Sequence, residues 1–154
     1  MVNVSRRNAL LMFGAVITPL VWPAAGNAVS GLPAVIAFRN PGCGCCEKWA
    51  ENLTKAGFEI TMTDDPALDA RRARLGVPAD IAGCHTAQVG DYIIEGHVPP
   101  EDILRLLAEK PEARGLAVPG MPMGSSGMET DGPAEAYDVL VFMADGTSKL
   151  YARH

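Results

Sequence analysis

A chain of 154 residues, 48% hydrophobic and 20% charged, has the length of one domain and enough apolar residues to build a core. Its formal net charge of −5 argues against nucleic acid or an anionic membrane surface as a partner. Two of its 13 basic residues, Arg6 and Arg7, lie at the extreme N-terminus, so the chain beyond them is more acidic still.

The N-terminal segment reads as targeting, not fold. "SRRNALL" has the twin-arginine arrangement, and an apolar run from Leu10 to Trp22 follows, too short to span a membrane comfortably. Gly26 and Ala28 then supply the small residues of a cleavage site. Residues 1–28 are therefore expected to be a twin-arginine-type export signal, leaving 29–154 as a single domain in the periplasm. The competing reading is an uncleaved anchor or a buried core helix. With the signal removed, no membrane contact is expected.

Beyond it, Ala34 to Phe38 is a short apolar run suited to a buried strand, stopped by Asn40-Pro41-Gly42. Cys46, Trp49, Ala50 and Leu53 form a helical stripe that Gly57 closes. Phe58, Ile60 and Met62 alternate with polar residues as in a strand. Asp65-Pro66 predicts a helix start, with a carboxylate cap and proline in the first turn, and Gly76 ends that helix. Its Arg71, Arg72 and Arg74 read as a solvated face. Pro78 to Gly83 is a connector with room for one helical turn. Thr86–Val89 and Tyr92–Glu95 flank Gly90-Asp91 as a hairpin. Pro100 opens a helix that Pro111 bounds. From residue 116 the chain reads as a long loop, "LAVPGMPMGSSGMETDGP". A second hairpin follows, Tyr137–Met143 and Thr147–Tyr151 around Asp145-Gly146. It should dock on the core, because a lone hairpin is barely stable.

The first two strands, joined through a helix, are predicted parallel, and the later pair antiparallel. This βαβαββα order is that of an α/β, thioredoxin-like fold, with a C-terminal methionine loop and an extra β-hairpin.

The chemistry is concentrated in sulfur. "CGCC" places Cys43, Cys45 and Cys46 ahead of the first helix, where unsatisfied N–H groups and the helix dipole favour thiolate. Cys43 and Cys46 have C-x-x-C spacing, which permits a disulfide and leaves Cys45 and Cys84 to explain. If Cys45 were already helical it would point about 160° away from Cys43. It is then either a buried bystander or a ligand reached by unwinding the Gly42 and Gly44 region. In the predicted topology Cys84 and His85, just before the third strand, approach the cluster. Met121, Met123 and Met128 lie in a loop, either as thioether donors suited to Cu(I) or as plugs for the core. His97 reads as a helix-start residue before it reads as a donor, and His154 is expected to hang free. Asp64 and Asp65 read as strand exit and cap. No paired carboxylates, phosphate-binding glycine loop or Ser-His-Asp order is recognisable.

Soft donors dominate, so the expected guest is a thiophilic ion: copper as Cu(I) first, zinc second. The predicted metal residues are Cys43, Cys45, Cys46, Cys84, His85, Met123 and Met128. No catalytic residue is assigned. The alternative is a thiol-disulfide or copper oxidoreductase that uses the Cys43/Cys46 pair.

"NPGCGCC…W", "GVPADIAGCHTAQVGDYIIEGHVP", "RLLAEKP" and "GLAVPGMPMGSSGME" followed by "YDVLVF" resemble the CopG-type copper-resistance proteins. These are small periplasmic metal-binding proteins long catalogued as a domain of unknown function. The resemblance covers nearly all of residues 33–154. It implies a thioredoxin-like fold with copper held by Cys43, Cys45, Cys46 and Cys84, with Met123 and Met128 as further donors and other copper-handling proteins as partners. Storage, delivery and redox handling of copper are all discussed for the family. This chain has Gly83 where the family pattern has Ser, and Ser126 where it has Pro. The second change is expected to loosen the loop.

Overall fold

The structure is a computed structural model that describes residues 31–154; the export signal read at residues 1–28 lies outside them. β1 (Val35–Arg39) runs parallel to β2 (Ile60–Asp64), and α1 (Gly44–Lys55) connects them. α2 (Leu68–Leu75) and a 3-10 turn (Ala79–Ile81) lead to β3 (His85–Val89), antiparallel to β1. β3 and β4 (Tyr92–Glu95) form a hairpin around Gly90-Asp91. α3 (Pro100–Glu109) leads to β5 (Gly115–Ala117), parallel to β4. β6 (Asp138–Phe142) and β7 (Ser148–Arg153) complete one seven-stranded sheet in the order β2-β1-β3-β4-β5-β6-β7.

Element order through α3, the parallel first pair and the antiparallel hairpin follow the sequence pattern. β5 does not, since it occupies residues that read as loop. Three residues, Gly-Leu-Ala, are too few to display an alternation, and the strand exists because β4 and β6 pair with it on either side. It is the link through which the second hairpin joins the sheet.

Period-2 alternation sorts side chains to the two faces. Ile94, Leu116, Val139 and Val141 join the main core, where Trp49 and Leu53 of α1 and Ile103 and Leu106 of α3 pack. Ile93, Ala117 and Phe142 point the other way and meet Val77 and Ile81 around the 3-10 turn. Each fully buried Leu or Ile contributes about 1.5–3 kcal/mol. Cys46, Trp49 and Leu53 are the buried stripe of α1, and the Trp49 indole N–H donates to the Val98 carbonyl at 2.9 Å. That bond ties α1 to the segment entering α3.

Three local expectations change. Asp65 does not cap α2 directly: its Oδ1 accepts the Ala67 N–H at 2.9 Å and the helix begins at Leu68. Arg72 is not solvated. Leu68, Arg72 and Leu75 share the inward stripe of α2, and Arg72 is buried against Glu95, Nε to Oε1 2.7 Å. His154 does not hang free: its Nε2 lies 2.7 Å from Asp102 Oδ2 and its ring stacks on Tyr137.

His85 and His97 are both fully buried, with ring centroids 5.1 Å apart, and His85 packs against Trp49 at 4.1 Å. Burial holds His85 well below the usual imidazole range, and the neighbouring His97 and Arg72 push it the same way. Burial also lowers His97, against the pull of the Ser126 carbonyl on its Nδ1. Below pH ~6.5 the unfolded chain takes up protons that these folded imidazoles refuse, so stability falls as the solution is acidified. Urea unfolding between pH 7 and pH 5 should show a loss of stability on acidification, at most about 1.4 kcal/mol per pH unit for each histidine. His85→Phe should flatten that slope; an unchanged slope would refute the assignment.

Candidate metal centre

The site forms where the N-terminus of α1 meets the loop entering β3. Asn40-Pro41-Gly42 turns the chain off β1, with Gly42 at φ 78°, and the Cys43 N–H donates to the Asn40 carbonyl at 3.3 Å. Arg39, at the end of β1, fixes the turn from outside. Its Nη1 donates to the Cys43 carbonyl at 3.0 Å and to Glu47 at 2.9 Å, and its Nε donates to Asp64 at 2.7 Å.

Cys43 is the residue before α1, with extended backbone (φ −72°, ψ 94°), and the helix begins at Gly44. Cys45 therefore does not turn away from Cys43 as it would if both residues were helical. Cys45 Sγ lies 3.4 Å from Cys43 Sγ and 3.7 Å from Cys84 Sγ. Cys43 and Cys46 are joined as a disulfide, while Cys45 and Cys84 are free thiols. All four sulfurs lie within 4.8 Å of one another. Among the described residues no histidine nitrogen or carboxylate oxygen belongs to that group.

His85 follows Cys84 in sequence, but its imidazole is in the core between Trp49 and His97, with neither ring nitrogen hydrogen-bonded. Strand alternation explains the separation: consecutive residues entering β3 point to opposite sides. Cys84 is buried, and burial together with the adjacent Cys45 pushes its thiol up to about 12. Cys45 is only partly covered.

The methionine loop lies over this end of α1. Met123 and Met128 line an open cleft with Cys45, and Met121 lines a second cleft with Cys43 and Cys84. Met121 and Met123 are exposed, so they do not plug the core. The loop is closed by its own turns, Met128 N–H to the Ser125 carbonyl at 2.7 Å and Gly124 N–H to the Met128 carbonyl at 2.8 Å. It is pinned to α1 through Asn52, which donates to Glu129 at 2.7 Å and to the Ser126 hydroxyl at 3.2 Å.

Known proteins point the same way. A family model described as a protein of unknown function, DUF411, matches residues 81–128, which hold Cys84-His85 and the methionine loop. No curated protein matches the chain. Two solved structures do, copper resistance protein CopG in its form 1 and form 2. Each is 38% identical, covers 80% of this chain and 98% of its own, and superposes at a TM-score of 0.76. The chain belongs to the CopG-type copper-resistance family.

Two departures from the CopG-type sequence pattern have structural accounts. A Cβ at Gly83 would sit 2.6 Å from the Gly96 Cα, so this backbone approaches more closely than serine allows. Ser126 is tied to its surroundings: its hydroxyl accepts from Asn52 at 3.2 Å and its carbonyl lies 2.7 Å from His97 Nδ1. Arg39 carried no signal in the sequence beyond its place at a strand end, because its role depends on Cys43, Glu47 and Asp64 converging in space.

Two outcomes follow from this geometry. Alkylation of the folded, unreduced protein at neutral pH should modify Cys45 and spare Cys84 until unfolding, as peptide mapping by mass spectrometry will show; equal labelling of both would contradict the burial. Gly127 has φ 85°, and a Cβ there would lie 2.6 Å from the Trp49 nitrogen and 2.7 Å from the Cys45 carbonyl. Gly127→Ala should therefore lift the loop from α1 and cost about 1–3 kcal/mol in chemical denaturation.

Proposed function

We propose that this CopG-type protein chelates copper as Cu(I) in copper resistance or homeostasis, using Cys43, Cys45, Cys46 and Cys84. The observation that carries the reading is the convergence of four sulfurs within 4.8 Å. Thiolate sulfur is soft, and a cluster of it selects Cu(I) or zinc over hard cations. Cu(I) is preferred to zinc because the flanking clefts bring thioethers, which zinc disfavours. Met123 and Met128 enter the proposal as donors from the Cys45 side. His85 is left out of the donor set, since its ring is turned into the core.

The disulfide represents the oxidised form of the site. Reduction of Cys43–Cys46 returns two thiolates to the N-terminus of α1, where backbone N–H groups and the helix dipole stabilise them. The Cys84 loop closes the opposite side. The β2-β1-β3-β4 part of the sheet, with α1 following β1, supports a thioredoxin-like description of the core. Export by the twin-arginine route, cleavage after Ala28 and a periplasmic location complete the proposal, resting on "SRRNALL" and the small residues at Gly26 and Ala28. Among the described residues no helix is long and apolar enough to cross a membrane.

A second reading is favoured by one observation. The Cys43–Cys46 disulfide sits at a helix N-terminus with the Cys45 thiol 3.4 Å from Cys43 Sγ. That is the arrangement of a thiol-disulfide oxidoreductase, in which the reduced pair attacks a substrate disulfide and is itself oxidised.

Titration of the reduced protein with Cu(I) against a chromophoric chelator, followed by elemental analysis for copper and zinc, tests the first reading. Binding should be sub-micromolar or tighter and should weaken by about 100-fold or more when Cys43, Cys45 and Cys46 are replaced together by Ser. Equal affinity in that variant would sink the proposal. Cys45→Ser alone separates the readings: it should cripple chelation yet leave metal-free disulfide exchange by Cys43 and Cys46 intact.

A further inference from the structure

Arg72 and Glu95 form an ion pair with Arg72 6% and Glu95 0% exposed, and neither contributes an atom to the sulfur group. Stability alone does not explain such a pair. The desolvation of two buried charges rivals their attraction, and a well-packed hydrophobic pair stabilises a core at least as well. What distinguishes this one is where its other hydrogen bonds go. Glu95 Oε1, besides accepting from Arg72 Nε at 2.7 Å, accepts the Gly83 N–H at 2.8 Å. Arg72 Nη2 donates to the Gly83 carbonyl at 2.6 Å. Both polar groups of a single residue are thus held by the two members of the pair, and the next residue is Cys84.

The remaining sides of Gly83 are closed by backbone. It bridges to Gly120 and is packed against Gly96. The Gly96 N–H donates to the His85 carbonyl at 2.8 Å and the Gly120 N–H to the Ala82 carbonyl at 3.2 Å. The 3-10 turn (Ala79–Ile81) ends just before Gly83, and these backbone contacts hold the segment that follows it. α2 through Arg72 and β4 through Glu95 add side-chain bonds to these backbone contacts, and the loop presents Cys84 Sγ 3.7 Å from Cys45 Sγ.

We propose that Arg72 and Glu95 are positioning residues of the sulfur site, clamping Gly83 so that Cys84 is held within reach of Cys45. The proposal deepens the Cu(I) reading and rests on it for its consequence in metal affinity, although the clamp itself is independent of any metal. An arginine at this place is specified by its fork: one guanidinium reaches the carboxylate and the carbonyl together, which a lysine ammonium on a single point cannot reproduce.

Three changes test it: Arg72→Lys, Glu95→Gln, and the apolar double replacement Arg72→Met/Glu95→Leu. The first readout involves no metal. In a Cys43→Ser/Cys46→Ser background, the equilibrium of the Cys45–Cys84 disulfide with a glutathione buffer gives the effective concentration of one thiol at the other. The second readout is Cu(I) affinity and release rate in the protein with all four cysteines, and urea unfolding is measured alongside. Arg72→Lys and the double replacement should lower the effective thiol concentration and the Cu(I) affinity by about tenfold or more, beyond any loss of stability from freeing the Gly83 N–H and carbonyl. Glu95→Gln should lie between, because its amide oxygen still accepts the Gly83 N–H. Unchanged thiol equilibrium in the folded variants, or losses that simply track stability, would overturn the clamp. Failure of the parent to bind Cu(I) would instead overturn the copper reading and leave the thiol measurement to decide the clamp. If the double replacement does not fold, Arg72→Lys carries the test.

Discussion

The site depends on α1 starting at Gly44, one residue after Cys43. Had Cys43 been helical, Cys43 and Cys46 would share a face and Cys45 would turn to the far side. With Cys43 extended, Cys45 swings inward and its sulfur becomes the bridge between Cys43 and Cys84. Arg39 and the Asn40-Pro41-Gly42 turn hold that break in place, and the buried stripe of Cys46, Trp49 and Leu53 anchors the helix that follows. Everything else at the site is arranged around this point. The β3 loop approaches from one side and the methionine loop from above.

Several buried polar residues lie on or beside the Cys84 loop. His85, His97, Thr86, Glu95 and Arg72 are all buried within a few residues of Cys84 or in contact with its neighbours. Several of their atoms have no hydrogen-bond partner, including both ring nitrogens of His85. A buried unpaired polar atom costs stability. The cluster of Val77, Ile81, Ile93, Ala117 and Phe142 is built of apolar side chains.

The resemblance to CopG-type proteins and the chain's own geometry support each other at different scales. The solved structures share the whole domain at 38% identity, whereas the matched family model spans the Cys84 loop and the methionine loop but not the CGCC cluster. Family membership points to copper, and the sulfur geometry brings Cys43, Cys45, Cys46 and Cys84 together at one place. The disulfide adds a redox state to that picture, since two of the four sulfurs become available only on reduction.

Much of this was legible in the linear chain. The amphipathic stripe of α1, the Gly90-Asp91 and Asp145-Gly146 turns of the two hairpins and the C-x-x-C spacing are local signals, set by periodicities of 3.6 and 2 and by turn chemistry. So was the softness of the donor set, which is a matter of composition. Other features were not legible, because each depends on residues distant in sequence. β5 exists only between its two neighbours, Arg72 turns inward only because Glu95 and Gly83 wait there, and His85 and Cys84 part company only once β3 is built. The sequence by itself determined that four thiols would lie at helix and strand ends with thioethers nearby, because residue type and local propensity need no partner. Only the tertiary structure decided that Cys45 faces inward and that His85 does not, because side-chain direction at an element boundary depends on where the helix starts and on what packs against it.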